Sequence, residues 1–206
     1  VFDAMEPWLR GGYGNPSSAY RLGREAAAAL AEARERVATL AGCQSGEILF
    51  TSCGTESINT AILSALALDP DKRHIVTSAV EHSATIKLCE NLARRGYEIT
   101  WLPVNAAGHL DMAELEASIR PDTAIVSLLW ANNETGVLFP VEEIAALTQK
   151  MRLGVSVIIL NTRNPVQLAK ALATVDHLSN GRMILGVGLG GGTRNYAAFG
   201  INADKR

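Results

Sequence analysis

The sequence has 206 residues, 48% of them hydrophobic and 19% charged, which is enough chain to bury a core and too apolar for a disordered or fibrous protein. A net charge of -2 argues against a nucleic-acid footprint, and no apolar run approaches the roughly 18 uncharged residues of a membrane span. The first ten residues lack the basic-then-apolar order of a secretory leader, so the expected location is cytoplasmic. Cys43, Cys53 and Cys89 are odd in number, form no CxxC pair and have no His at ligand spacing. Reduced, mostly structural thiols and no metal site are expected.

In chain order, residues 17–41 set Leu22, Ala26, Leu30, Ala33, Val37 and Leu40 at three- and four-residue steps among Arg and Glu. Gly42 follows, so an amphipathic helix with a glycine stop is predicted. Four short apolar runs, 47–52, 74–79, 98–104 and 124–130, read as strands. Helical patterns at 57–68, 83–95 and 112–118 separate them, and another at 141–149 follows the last. Strands alternating with helices predict an α/β fold: a three-layer α-β-α arrangement around a mostly parallel sheet.

The charge steps near Lys150. Residues 1–150 hold 19 acids and 12 bases, whereas 151–206 hold 2 acids, 7 bases and 8 of the 18 glycines. Two regions are therefore expected, 1–150 and 151–206.

In an open parallel sheet the ligand lies beyond the carboxyl ends of the strands. The loop Thr51-Ser52-Cys53-Gly54-Thr55-Glu56-Ser57 offers free backbone N–H groups at a helix start, a cradle for phosphate; it could equally be a glycine turn with a hydroxyl cap. His82, after the second run, could stack on a flat cofactor or exchange a proton, or could cap the next helix or meet solvent. Asn133, after the fourth, could bond a phenolic oxygen, although Asn-Asn-Glu-Thr-Gly is also plain loop chemistry. Cys53 reads as structural despite its place at a helix start, and Cys89 as packed within a helix.

Taken in order, these stretches resemble the cysteine desulfurases of the class V aminotransferase-like enzymes, which depend on pyridoxal phosphate (PLP), especially the nitrogen-fixation type. The motifs are Gly14-Asn15-Pro16-Ser17-Ser18, Glu47-Ile48-Leu49-Phe50-Thr51-Ser52-Cys53-Gly54-Thr55-Glu56-Ser57, Val80-Glu81-His82, and Trp130-Ala131-Asn132-Asn133-Glu134-Thr135-Gly136 ahead of Phe139-Pro140. The resemblance covers about residues 1–150 and implies part of the large domain of such a transferase. It implies that Gly54 and Thr55 hold the PLP phosphate, His82 stacks on the pyridine ring and Asn133 contacts the ring hydroxyl. L-cysteine would be the substrate, giving alanine and an enzyme persulfide that feeds iron–sulfur assembly or other sulfur transfer, and a homodimer is the family's form.

The same resemblance requires an acid at the ring nitrogen, a Schiff-base lysine and a persulfide cysteine. Where the acid belongs, the run 155–160 ends in Asn161, which is neutral. Lys170 and Lys205 are the remaining lysines, neither in a Ser-x-His-Lys setting. No catalytic residue is therefore assigned, and PLP would be held non-covalently. Residues 151–206 resemble a βαβ piece of the luciferase-like, flavin-dependent monooxygenases, with a helix from Pro165 through Leu178. Gly186, Gly188 and Gly191 also satisfy GxGxxG, but no convincing helix or downstream acid follows. A fusion near Lys150 would explain the charge step and the missing catalytic half, with 155–160 free to join the sheet as a further strand. A non-catalytic interaction fragment and a flavin-binding remnant are the alternative readings.

Overall fold

The structure, a computed structural model, describes residues 2–148, 152–159 and 183–188. They fall in two compact units: residues up to Phe50 in one, and residues from Thr51 with the two later strands in the other.

The first unit holds α1 (Phe2–Arg10), α2 (Arg21–Ala41) and a 3₁₀ turn (Ser45–Glu47). Helix α1 buries no residue and carries Pro7 inside it. Helix α2 starts four residues later than the periodicity predicts, because the Gly14–Ser18 stretch folds as a turn instead. That turn lies tightly against the first turn of α2. A Cβ on Gly23 would run into the carbonyl oxygens of Ser18 and Asn15, and one on Gly14 would meet the Leu22 backbone at 2.7 Å. Gly42 ends α2 at φ 74, the left-handed conformation that glycine adopts without strain.

The apolar run 47–52 is not a strand. Ser45–Glu47 forms the 3₁₀ turn, and the chain after it is extended but unpaired. An extended segment becomes a strand only when a neighbour takes its N–H and C=O groups, and no described strand runs beside this one. Arg34 supports it instead. Its Nε donates to the Ile48 carbonyl at 3.2 Å, and its guanidinium stands 5.3 Å from the Phe50 ring centre.

The second unit is built on a five-stranded sheet. Its elements are α3 (Gly54–Leu68), β1 (His74–Ser78), α4 (Ser83–Arg94), β2 (Glu98–Leu102), α5 (Met112–Ser118), β3 (Thr123–Leu129), α6 (Val141–Leu147), β4 (Arg152–Ile159) and β5 (Met183–Gly188). The strand order is β2-β1-β3-β4-β5, and every neighbouring pair is parallel. Strands β4 and β5 thus extend the sheet beyond β3. The helix expected at 165–178 lies outside the described residues.

All residues of β1 and β3 are buried, as parallel strands covered on both faces must be. Edge strand β2 is largely uncovered. The chain steps from β1 to β2, then back past β1 to β3. Right-handed crossovers in opposite directions put α4 on one face and α5, with α6, on the other. Helix α3 shares the α4 face, where Ile58, Ile62, Ala65 and Leu66 pack with Cys89, Leu92, Ile75 and Ile125. These are the three layers. At about 25 cal/mol per Å² of apolar surface removed from water, burial in this cluster stabilises the unit.

Candidate functional site

Five parallel strands place their carboxyl ends on one rim, and helices that run back between them bring their amino ends to it. Helix α3 leads through a short link into His74 at the start of β1, so its own start lies toward the rim. Its length of about 22 Å, at ~1.5 Å per residue, matches the strands it covers.

The start of α3 is open. Cys53 precedes it in extended conformation (φ -163, ψ 169), and no side chain closes a capping hydrogen bond. Gly54 is the first helical residue, and Thr55 behind it is exposed. Glu56 folds back instead, its Oε2 accepting from the backbone N–H and the hydroxyl of Ser52, both at 2.6 Å. Those two bonds hold its carboxyl below the ordinary range. The Cys53 thiol is also lowered, first by the Glu56 peptide N–H and then by the Ser52 hydroxyl at 3.8 Å. Hydrogen bonds at this helix start thus favour the ionised form of both acids.

The loop after β1 carries His82, which is exposed and caps α4: its Nδ1 accepts from the Ala84 N–H at 3.1 Å. Nδ1 is then the unprotonated nitrogen, leaving the hydrogen on Nε2. The loop after β3 is a small hairpin closed by the Ala131–Leu138 bridge and the Phe139 N–H to Trp130 O bond at 2.9 Å. Asn132 is its hub, with Oδ1 accepting from the N–H groups of Glu134 (3.0 Å) and Thr135 (2.9 Å) and from the Thr135 hydroxyl (3.2 Å). Asn133 is exposed, and its Nδ2 donates to Glu134 Oε1 at 2.8 Å.

These two loops are stitched together. Asn132 Nδ2 donates to the Val80 carbonyl at 3.1 Å, and the Leu129 N–H donates to Glu81 Oε1 at 2.6 Å. They flank the point between β1 and β3 where the strand order reverses, the customary ligand crevice of such sheets. Glu81 and Asn132 were assigned no role by the sequence, although both stand inside recognised motifs.

The four candidate cofactor residues therefore fall in three places. His82 and Asn133 sit on cross-linked loops, while Gly54 and Thr55 stand at the α3 start on the same rim. A groove of about 520 Å³ lies elsewhere, beyond β2, lined by residues such as Pro103, Asn105, His109 and Asp111; none of the four lines it. Asn161, Lys170, Gly191 and Lys205 lie outside the described residues. Among the described residues no cluster of three or more His, Cys, Asp or Glu could hold a metal, and no helix is long and apolar enough to cross a membrane.

The amino end of the sheet is closed. His74 is fully buried, Nδ1 paired with Thr123 Oγ1 at 2.7 Å and Nε2 with Thr100 Oγ1 at 2.8 Å. Desolvation, then the Arg120 charge, lowers its pKa. Arg120 binds Glu98 with both terminal nitrogens at 2.7 Å and reaches Asp122 at 2.9 Å. These bonds hold both carboxyls below their ordinary values and raise the guanidinium.

Residues 1–159 match the aminotransferase class-V family, and residues 143–206 match the luciferase-like monooxygenase family. The two matches overlap across β4. Cysteine desulfurase 2 of Trichormus variabilis is 51% identical over 144 residues, 70% of this chain and 36% of that protein. A cysteine desulfurase of Nostoc sp. is 44% identical over 179 residues, 87% of this chain and 45% of its own length. Cysteine desulfurase NifS of Azotobacter vinelandii is 47% identical over 148 residues, 71% and 37% of the two chains. Among solved structures, a NifS-like protein superimposes with a TM-score of 0.70 at 35% identity, over 74% of this chain and 43% of that one. DndA from Streptomyces lividans gives 0.70 at 35%, over 82% and 48%. The chain spans less than half the length of each of these relatives.

Proposed function

The chain belongs to the aminotransferase class-V family, whose members use pyridoxal phosphate, and on that premise we propose that its second unit is the cofactor-cradling half of a cysteine desulfurase-like site. The open start of α3 carries this reading. A helix start with no capping hydrogen bond from its N-cap side chain, with Thr55 and Glu56 N–H groups that already favour an ionised Cys53 thiol and with an exposed Thr55 hydroxyl beside them, suits a phosphate. The residues present fit that end of the cofactor.

In this reading Gly54 and Thr55 hold the phosphate, the His82 ring lies against the pyridine, and Asn133 turns from Glu134 to donate to the ring hydroxyl. Bound PLP supplies an electron sink for charge developing on an amino-acid substrate. Using that sink requires a carboxylate at the ring nitrogen and a lysine that moves protons. Asn161 is neutral, and neither Lys170 nor Lys205 has the family's sequence setting. We therefore expect cofactor binding without conversion of L-cysteine to alanine. A cytoplasmic setting accords with three cysteines that form no disulfide, and a homodimer with the family's form.

The test is a PLP titration followed by absorbance, then borohydride reduction and mass spectrometry, with an alanine assay on added cysteine. Saturable micromolar binding, no adduct on Lys170 or Lys205 and no alanine are expected. A featureless titration removes the site. A stoichiometric lysine adduct with alanine released removes the inactive, non-covalent part of the reading.

A further inference from the structure

The β1–β3 ladder ends before β3 does. Its last paired residues are Thr77 and Ser127, whereas β3 continues to Leu129. Beyond Ser78 the backbone turns toward the other neighbour, the Ala79 N–H donating to the Leu102 carbonyl at the end of β2, 2.8 Å away. The Leu129 N–H, on a residue 3% exposed, would face the resulting gap without a strand carbonyl to meet it. A buried N–H of this kind must find a partner.

Glu81 provides it. The side chain is 5% exposed, and Oε1 takes the Leu129 N–H at 2.6 Å and the Ser78 hydroxyl at 3.3 Å. Its charge is also a secondary cause, after desolvation, of the raised Cys89 thiol pKa within α4. Beside it, Asn132 Nδ2 holds the Val80 carbonyl. Side chains therefore span the place where backbone pairing stops.

We propose that Glu81 is a positioning residue, its carboxylate standing in for the missing β1 carbonyl and fixing the spacing between the His82 loop and the Asn133 loop. The proposal rests on the cofactor reading for the ligand, but not for the spacing. Replacing the ladder by a side chain opens the crevice at the reversal point without leaving a peptide group unpaired. It also presents His82, the next residue, and Asn133 to one ligand. A carboxamide can accept the same two hydrogen bonds through its oxygen, whereas alanine cannot, and aspartate is shorter by one methylene.

The experiment compares the full chain with Glu81→Gln, Glu81→Ala and Glu81→Asp by amide hydrogen exchange without ligand, and by PLP titration. Glu81→Ala is expected to speed exchange about tenfold or more in peptides covering 129–138, with β1 and the body of α4 little changed. It should weaken PLP binding by about tenfold. Glu81→Gln should stay within about threefold of the parent in both measurements, a rescue that loss of general stability would not give. If Glu81→Ala does not fold, Glu81→Asp carries the same expectation. Unchanged exchange at 129–138, an equal rise throughout the unit, or failure of Glu81→Gln to rescue overturns the inference. So does undiminished PLP binding by Glu81→Ala. A flat titration of the parent together with the local exchange change keeps the loop-spacing role and removes the cofactor reading instead.

Discussion

His74 and His82 stand at opposite ends of β1, and their surroundings divide the sheet into a stabilising end and an available end. His74 is enclosed, both ring nitrogens engaged by threonine hydroxyls and its neutral form favoured. His82 is exposed, with one nitrogen on a helix cap. The same side chain is a structural peg where every hydrogen bond is answered from within the fold, and a candidate ligand contact where some are not. The acids follow the same division. Glu98 and Asp122 are tied to Arg120 at the amino end, while Glu56 folds back onto Ser52 beside the start of α3.

The sharpest way to break the comparison is to remove each ring. His74→Ala vacates a buried volume and leaves two threonine hydroxyls unanswered, so urea unfolding should show a loss of about 3 kcal/mol. His82→Ala removes a cap and should cost about 1 kcal/mol, with its larger effect in the PLP titration. Equal stability losses would erase the distinction.

Acid should discriminate next. The fold disfavours protonated His74, whereas the unfolded chain takes that proton near the ordinary value of 6.5. The unfolded state then binds more protons, and stability must fall as pH drops below about 6.5. Lowered Glu98 and Asp122 extend the loss below about 4.5. Thermal melts of His74→Gln should flatten the upper limb and keep the lower one; an unchanged upper limb would remove His74 as its cause.

A smaller effect separates the thiols. Cys53 is exposed with a lowered pKa, and Cys89 is buried and pushed up to about 12. A disulfide reagent at neutral pH should modify Cys53 first and reach Cys89 only after unfolding. In alkali the folded chain keeps the Cys89 proton that the unfolded chain releases near 9.0, so stability should decline above that pH. Smallest of all, Arg120→Ala should lower the urea midpoint only slightly, and less at high salt, because its carboxylate partners Glu98 and Asp122 stand in solvent.

Much of the fold was legible because buried parallel strands read as unbroken apolar runs: β1 and β3 appear within a residue of where the pattern puts them. The run at 47–52 had the same composition without a partner, and pairing is a property of the neighbour. Helix α1 carries a stripe of Phe2, Met5 and Leu9 that could have revealed it, but Pro7 interrupts the pattern. The site was legible in its motifs and less so in its roles. Glu81 and Asn132 bond groups 48 and 52 positions away, a proximity that exists only once β3 has crossed over to lie beside β1. The cap made by His82 was one of the alternatives its position allowed.

The turn before α2 has a further consequence. Where Ser18 and Asn15 carbonyls leave no space for a methyl group on Gly23, the site tolerates a hydrogen atom and little else. Mutational scanning should find this glycine of α2 among the least replaceable positions in the first unit, even though changing it to alanine would raise helix propensity by about 1 kcal/mol. Its value lies in what it lacks, and a consensus-style stabilisation of α2 would begin by damaging it.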